Sequence, residues 1–324
     1  MHVLVDTSYA LRGPSGTATY ILELTAALRR RGTLIIEVSN ERRRPPAGGG
    51  LGSVRNLLAD RRWVNRKLPQ LAAETGAKLI HHPLAPICAQ APCPQVVTIH
   101  DLAFELHPEH FDARFVRWAR REHRRSAEEA AVVICVSQAT ADDVVERWGI
   151  REDRIVIAHH GPGQELAPVE PAEPRHVLYV GDDEPRKNLG LLRAAQMPLP
   201  VVHAGPGGEA VDPVGLSQLY AHALALVHPS VHEGFGLTPL EAMSAGVPVV
   251  AVRNRAVEEV CGDAALYVDG TDPAPLEEQV RRLHADPGLR AEMAQRGRAR
   301  AALYSWDACA EAHLEAYRRA VGAQ

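Results

Sequence analysis

Short apolar runs alternate with helix-length amphipathic stretches along the whole chain, and this alternation restricts the fold more than any other feature. Runs at 3–6, 34–38, 78–81, 96–100, 132–136 and 155–158 occupy the first half, and runs at 177–180, 201–204, 225–228, 247–252 and 265–268 the second. Strands joined through helices pair in parallel, and the helices cover both faces of the sheet. In the first half a helix running from the Gly16 turn to about Arg31 stops at Gly32, and Ser137 caps another that ends at Gly149. In the second half, helices are expected at 188–196, 215–223, 238–245, 274–285 and 287–302, with a closing helix at 306–320. The stretch 41–53, ERRRPPAGGGLGS, is a loop without core-forming residues, and 159–175, rich in Pro and Gly, is the linker. Two α/β halves joined this way imply a cleft, with ligand at the carboxyl ends of the strands.

Composition removes several function classes. The 324 residues fit two domains, and 46% hydrophobic content fills two cores. The 36 Lys+Arg against 40 Asp+Glu leave a net charge of −4, which argues against nucleic acid as a partner. Five scattered cysteines without a CxxC pair fit buried thiols in a reducing compartment. The start, MHVLVD, lacks the basic and apolar regions of a signal peptide and suits a first strand. No apolar run approaches the ~18 residues of a membrane span. A cytoplasmic location follows as an expectation.

The densest chemistry lies at 232–251, HEGFGLTPLEAMSAGVPVVA. Glu233 and Glu241 flank Gly234-Phe235-Gly236, whose glycines let backbone come close to a ligand. Thr238 has the character of an N-cap, Pro239 suits the first helical position, and Glu241 completes a T-x-x-E capping box. A Gly-rich loop feeding a helix N-terminus favours anions, although a well-capped structural helix is the plain alternative. Gly181-Asp-Asp-Glu-Pro-Arg186-Lys187-Asn188 also opens a helix after a strand. Its adjacent cations suit a diphosphate, provided Asp182, Asp183 and Glu184 turn outward. Gly13-Pro-Ser-Gly16-Thr17 takes the equivalent place in the first half and is neither GxGxxG nor a P-loop.

His100 ends a parallel strand, where pocket residues lie, and a purely structural role is equally open. Neither His81-His82 nor His159-His160 has metal-site spacing, so no metal is expected there. A D-x-D triplet is absent from the chain. Arg114, Arg117, Arg120, Arg121, Arg124 and Arg125 form a helical stripe, with Phe111, Phe115 and Trp118 on a different face. The stripe offers peripheral contact with an anionic membrane face or an acidic acceptor; a solvated helix face is the simpler reading.

Together these segments resemble the retaining nucleotide-sugar glycosyltransferases of family four. The block E-G-F-G-L-x-x-x-E-A-M-x-x-G-x-P-V starting at Glu233 matches that family's E-x7-E region. Val180-Gly181 with Pro185-Arg186-Lys187-Asn188 is similar to its phosphate-binding segment. Val97-Thr-Ile-His-Asp101, Val133-Ile-Cys-Val-Ser137 and Ser305-Trp306 resemble its N-domain strands and closing segment. Mannosyltransferase-like members are closest in arrangement. The chain departs from the pattern in having His160-Gly161 in place of Asn-Gly, and a short segment between Asn188 and Leu219 that normally helps wall the base.

The resemblance implies a GT-B fold. Residues 1–160 would form a Rossmann-like acceptor-side domain, completed by the closing helix at 307–324, and 161–306 the donor domain. It implies that Gly16 approaches the diphosphate and that Arg186 and Lys187 neutralise it. Glu233 would accept sugar hydroxyls, with help from backbone at Gly234, Phe235 and Gly236. Leu237 and Thr238 would offer N–H groups to phosphate, Glu241 would hold the ribose, and His100 would line the sugar pocket. The implied function is metal-independent, retaining transfer of a hexose from a nucleoside-diphosphate sugar, with no cofactor. GDP-mannose or a UDP-sugar is the expected donor, and a saccharide, lipid-linked or small-molecule hydroxyl the acceptor. The alternatives are a nucleotide-sugar 2-epimerase and a non-catalytic nucleotide-sugar-binding subunit.

Overall fold

A computed structural model describes residues 1–13, 15–42, 51–163 and 172–322, with the backbone alone at 51–54 and 57. Most of the expected 41–53 loop and half of the 159–175 linker lie outside the described residues. The chain forms two compact units, one of Met1–Leu102, Ala113–His159 and Trp306–Gln324, the other of Ala103–Asp112 and His160–Ser305. Residues 103–112 thus group with the second unit, whereas a boundary at 160 would assign them to the first.

The first unit carries a six-stranded parallel sheet: β1 His2–Asp6, β2 Leu34–Val38, β3 Leu79–His82, β4 Gln95–Ile99, β5 Val132–Cys135 and β6 Ile155–Ile157. Its order is β2-β1-β3-β4-β5-β6. Every residue of β3 and β5 is buried, as expected of strands covered on both faces. Strand order reverses between β1 and β3, so the loops leaving these two strands diverge at their carboxyl ends and open a crevice. The turn before Gly16 follows β1.

The loop expected at 41–53 ends early, because a helix begins at Leu51. It runs from Leu51–Arg62 through a π turn, Trp63–Lys67, into Leu68–Glu74. Val64, Leu68 and Ala72 from this stretch pack with Leu4 and Ile80. That packing of one apolar face outweighs the Gly and Pro content just upstream.

The closing helix, Trp306–Gly322, belongs to the first unit and is anchored by a buried polar relay. Tyr317 lies 2.9 Å from His81 Nδ1, His81 Nε2 2.9 Å from Thr98, Thr98 2.8 Å from Tyr20, and Tyr20 2.8 Å from His313 Nε2. His313 Nδ1 faces the Cys309 carbonyl at 2.8 Å and must donate to it. His313 Nε2 therefore accepts from the Tyr20 hydroxyl, Tyr20 accepts from Thr98, Thr98 accepts from His81 Nε2–H, and His81 Nδ1 accepts from Tyr317. Each donor is used once, and both imidazoles are neutral.

The second unit holds a five-stranded parallel sheet: β7 His176–Val180, β8 Val201–Ala204, β9 Ala223–His228, β10 Val249–Val252 and β11 Ala265–Val268, in the order β11-β10-β9-β7-β8. Val177, Tyr179, Leu224, Val227, Val250, Leu276 and Val280 meet in one core cluster. Here the order reverses between β7 and β9. The loop after β7 carries Arg186 and Lys187, and the loop after β9 carries Glu233. Sheet topology alone therefore puts the two richest segments of the sequence at one switch point.

Candidate functional site

The two loops are joined by backbone and by charge. Val231 N–H donates to the Arg186 carbonyl at 3.0 Å. Arg186 and Lys187 stand on a tight turn, Pro185–Lys187, and Asn188 follows in the left-handed region at φ 52° before the helix Leu189–Ala194. Asn188 donates its side-chain amide to Gly270 O at 3.0 Å, which fixes the exit of the turn. The glycines beneath the turn are required by close approach. A Cβ on Gly205, at φ 117°, would sit 2.7 Å from the Gly181 carbonyl oxygen, and one on Gly181, at φ 154°, would sit 2.9 Å from the Tyr179 hydroxyl.

Glu233 is the hub. Its Oε1 lies 2.8 Å from Lys187 Nζ and 3.2 Å from His228 Nε2, and its Oε2 lies 3.7 Å from Arg186. All four side chains are largely withdrawn from water: Glu233 is 11% exposed, Lys187 17%, Arg186 18% and His228 4%. Burial pushes the Glu233 carboxyl up, but Lys187, His228 and Arg186 outweigh it and hold it well below the usual carboxylate range. Glu233 is therefore ionised at neutral pH. Arg186 also donates Nε–H to Glu184 at 2.8 Å. Asp183 turns outward to pair with Arg193 at 2.7 Å, whereas Glu184 stays on Arg186, so the acidic run keeps one carboxylate beside the site cations. Asp182 is half-buried, and its Oδ1 has no hydrogen-bond partner among the described residues.

The helix after Glu233 corrects the expected capping box. It spans Leu237–Ala245, two residues earlier than Thr238 as N-cap would allow. Its N-cap is Gly236, in a left-handed conformation at φ 111° and ψ 50°, and no side chain caps it. A residue with a Cβ rarely adopts this geometry, so the glycine decides where the helix starts. Pro239 falls at the third helical position and supplies no N–H. The donors at this N-terminus are accordingly Leu237 and Thr238, on a helix whose dipole favours an anion. Glu241 does not reach back to cap. It is buried, its Oε2 accepts from the Tyr220 hydroxyl at 3.0 Å, and its Oε1 lies so close to Gly163 that a Cβ there would collide with it.

Phe235 is a buried anchor, with ring contacts to His160 at 5.0 Å and Tyr304 at 5.9 Å. Its side chain packs the loop down, while the backbone of Gly234 and Gly236 stays beside Glu233 in the chain.

The second unit thus brings together Arg186, Lys187, Glu233, Gly234, Phe235, Gly236, Leu237, Thr238 and Glu241. Gly16 and His100 belong to the first unit. Gly16 is the first residue of the helix Gly16–Arg30, whose N-cap, Ser15, accepts from Ala18 N–H at 3.2 Å. His100 follows β4 and donates Nε2–H to the Pro83 carbonyl at 2.9 Å. Its ring meets Tyr20 edge-on at 4.9 Å. Burial lowers its pKa, against the pull of Pro83 and Asp101, so it is a neutral imidazole with one nitrogen committed to backbone.

His228 was not singled out from the sequence. It ends β9, five residues before Glu233, and reads there as an ordinary buried strand residue. A polar residue at the carboxyl end of a strand beside the switch point was the available signal.

Residues 14–162 match Glycosyltransferase Family 4 and residues 209–300 match Glycosyl transferases group 1. The chain is 30% identical over 265 residues to O-antigen chain mannosyltransferase B from Escherichia coli, covering 69% of this chain and 70% of that one. It is 39% identical over 134 residues to D-inositol 3-phosphate glycosyltransferase from Acidothermus cellulolyticus, of which it spans only 29%. Sucrose-phosphate synthase from Thermosynechococcus elongatus superposes over 100% of both chains with a TM-score of 0.77 at 20% identity. HepE from Anabaena, solved in complex with UDP-glucose, gives 0.71 at 19% identity over 97% of this chain and 98% of that one. Both share the GT-B fold with this chain.

Proposed function

The chain belongs to the group 1, family 4 glycosyltransferases and is an enzyme of that class, and from that premise we propose that it transfers a hexose from a nucleoside-diphosphate sugar to an acceptor hydroxyl with retention of configuration and without a metal ion at the diphosphate. The observation that carries this reading is the pairing of Arg186 and Lys187 with Glu233 at the β7/β9 switch point, beside a helix N-terminus that no side chain caps.

The chemistry follows from where charge develops. When the acceptor oxygen bonds to the anomeric carbon, the bond to the diphosphate breaks and negative charge grows on the leaving phosphate oxygen. Arg186, Lys187 and the N–H groups of Leu237 and Thr238 are donors already in place for that charge, so none has to reorganise during the step. They supply what a divalent ion would otherwise supply, and the sequence lacks the D-x-D triplet that would hold one. The departing phosphate is also the nearest base for the acceptor's proton, which permits attack from the face it leaves. Glu233 is held ionised by its cations and serves as a hydrogen-bond acceptor for sugar hydroxyls. Gly234, Phe235 and Gly236 would approach the same sugar through backbone, and Glu241 would hold the ribose.

The mannosyltransferase relative makes GDP-mannose the donor to test first, and UDP-glucose in the HepE complex makes a UDP-sugar the second. A saccharide acceptor, free or lipid-linked, fits the same relatives. The helix Ala113–Glu129 supports contact with an anionic membrane on the cytoplasmic side. Phe115 and Trp118 are 40% and 39% exposed and flank the Arg114, Arg117, Arg120 and Arg121 side of that helix; Arg121, Arg124 and Arg125 pair with glutamates of the same helix. No helix of the described residues is long and apolar enough to cross a membrane. Neither the epimerase nor the non-catalytic alternative is favoured by relatives that are named as transferases.

The deciding experiment is a screen of GDP-, UDP-, ADP- and dTDP-sugars for nucleoside-diphosphate release, repeated with chelator and with saccharide acceptors, followed by assignment of the product anomer. Acceptor-dependent release that survives chelator, with an α-linked product from an α-linked donor, is expected. An inverted product, or a glycosyl group trapped on any carboxylate of the chain, would overturn the mechanism.

A further inference from the structure

The segment between β4 and the helix Ala113–Glu129 holds a cluster that the transfer reaction does not use. Pro108 opens a single 3-10 turn, Pro108–His110, directly after His107. Side chains three apart eclipse on such a turn, and the His107 and His110 rings lie nearly parallel, 12° apart in plane with centroids at 5.6 Å. Glu109 folds back against both. One oxygen, Oε1, lies 3.5 Å from His107 Nδ1 and 3.9 Å from His110 Nε2.

These separations are at or beyond the limit of hydrogen bonds to imidazole nitrogen. They are near those of a coordination shell. Zinc holds nitrogen and oxygen ligands at about 2.0–2.2 Å, which puts two corners of a tetrahedron about 3.3–3.6 Å apart. One ligand atom from each of the three residues fits within 4.8 Å of the others. A second observation bears on availability. The other ring nitrogen of His110, Nδ1, is buried and has no hydrogen-bond partner among the described residues. No protein contact therefore fixes which nitrogen of His110 carries the proton, and its lone pair is free to turn to a ligand.

We propose that His107, Glu109 and His110 form a site for one divalent transition-metal ion of the zinc class, with the His232 ring beside it. Two imidazoles and one carboxylate select zinc, cobalt, nickel or copper over magnesium, which prefers six oxygens. Three protein ligands leave one position for water or a fourth side chain. His232, whose ring centroid is 5.4 Å from that of His107, immediately precedes Glu233 in the chain. An ion held here would tie the 103–112 segment to the loop that carries Glu233. It would act on the rigidity of that loop and take no part in bond making.

The test uses the full-length, tag-free chain after dialysis against chelator. Titration with Co2+ alone, read by visible absorption, and with Zn2+ alone, read by competition with a chromophoric chelator, should give one site per chain. Bound Zn2+ should raise the thermal midpoint of the chain, because it binds the folded state only. His107→Ala and His110→Ala should each weaken binding at least tenfold, as should Glu109→Gln, whose exposed position leaves folding intact. The same variants should melt like wild type without metal. Absence of a stoichiometric site overturns the proposal. So does Zn2+ binding that survives undiminished in the His107→Ala/His110→Ala double variant, since the ion then belongs to other histidines. Neither result bears on nucleoside-diphosphate release, so failure here is distinguishable from failure of the transferase reading.

Discussion

Acidification from pH 8 to 5.5 should loosen the first unit selectively, and the size of the effect follows from its buried histidines. His81, His82, His100 and His313 are all held neutral, chiefly by burial. His82, His123 and His313 are pushed down to about 4 from 6.5. Between those values the unfolded chain binds more protons than the folded one, so stability rises with pH and falls as pH drops below about 6.5. At pH 5.5 each such group costs about 1.4 kcal/mol relative to pH 8, or about 4 kcal/mol for the three, against a typical total of about 5–15 kcal/mol. Carboxylates with ordinary pKa values near 4 stay ionised over this interval, so the histidines dominate it.

The assay is built into the chain. All four tryptophans, Trp63, Trp118, Trp148 and Trp306, lie in the first unit, so tryptophan fluorescence reports on that unit alone. This matters because a two-unit protein need not unfold in one step. With an m-value of about 2 kcal/mol per M, the urea midpoint should fall by about 2 M from pH 8 to 5.5. His313→Gln should remove about 1.4 kcal/mol of that pH dependence, whatever it does to stability at pH 8. A midpoint that moves by less than about 0.3 M, or a His313→Gln chain with undiminished pH dependence, would refute the assignment of neutral, buried imidazoles.

Arg186→Ala should lower turnover about 10²–10³-fold, the range for loss of one preorganised donor, while Arg121→Ala on the exposed helix should stay within about twofold; equal activity of Arg186→Ala and wild type in a nucleoside-diphosphate release assay removes the phosphate assignment. Gly205→Ala should destabilise the second unit by about 1–3 kcal/mol, because the new methyl meets the Gly181 carbonyl at a φ that favours glycine; a thermal melt followed by circular dichroism that matches wild type would show that the turn can shift. Thr238→Ala should cost less than about 0.5 kcal/mol, whereas a true N-cap would cost about 1 kcal/mol, and urea denaturation followed by circular dichroism separates the two. In sedimentation with vesicles, Phe115→Ser combined with Trp118→Ser should abolish binding to anionic lipid and leave nucleoside-diphosphate release unchanged; wild-type chain that stays in the supernatant rules the membrane contact out.

What the sequence disclosed depended on how local the determining physics was. Parallel strands buried on both faces announce themselves as short apolar runs, so β1 to β11 were visible to within a residue or two. Ser137 and Gly149 bound their helix as expected, because both act locally: the Ser137 hydroxyl accepts from Thr140 N–H, and Gly149 takes a left-handed backbone. The helical stretch from Leu51 to Glu74 escaped, since its first helix is polar in mean composition and the side chains that pack it, Val64, Leu68 and Ala72, meet Leu4 and Ile80, far away in the chain. Thr238 misled for a related reason. A Ser or Thr before a helix is only a candidate cap, and Gly236, two residues earlier, could adopt a conformation that started the helix sooner. The partners of Glu233 were hidden by distance: Lys187 is 46 positions away, and only the reversal of strand order between β7 and β9 brings it near.

That meeting changes what Glu233 is for. Two adjacent cations, each less than a fifth exposed, would repel one another and lose hydration if left alone. Glu233 offsets both costs, because one carboxylate sits within 4 Å of Lys187 and Arg186 at once. Its charge also prevents either side chain from swinging out to water. A carboxylate has about four lone-pair positions. Lys187 at 2.8 Å takes one on Oε1, where His228 Nε2 stands 3.2 Å away without hydrogen-bond geometry, while Arg186 at 3.7 Å lies beyond a normal hydrogen bond from Oε2. Oε2 therefore retains room to accept a hydroxyl. The same residue can set the geometry of the phosphate-binding cations and still recognise the sugar they bring, while Glu184, on Arg186 at 2.8 Å, balances the second cation until a diphosphate takes its place.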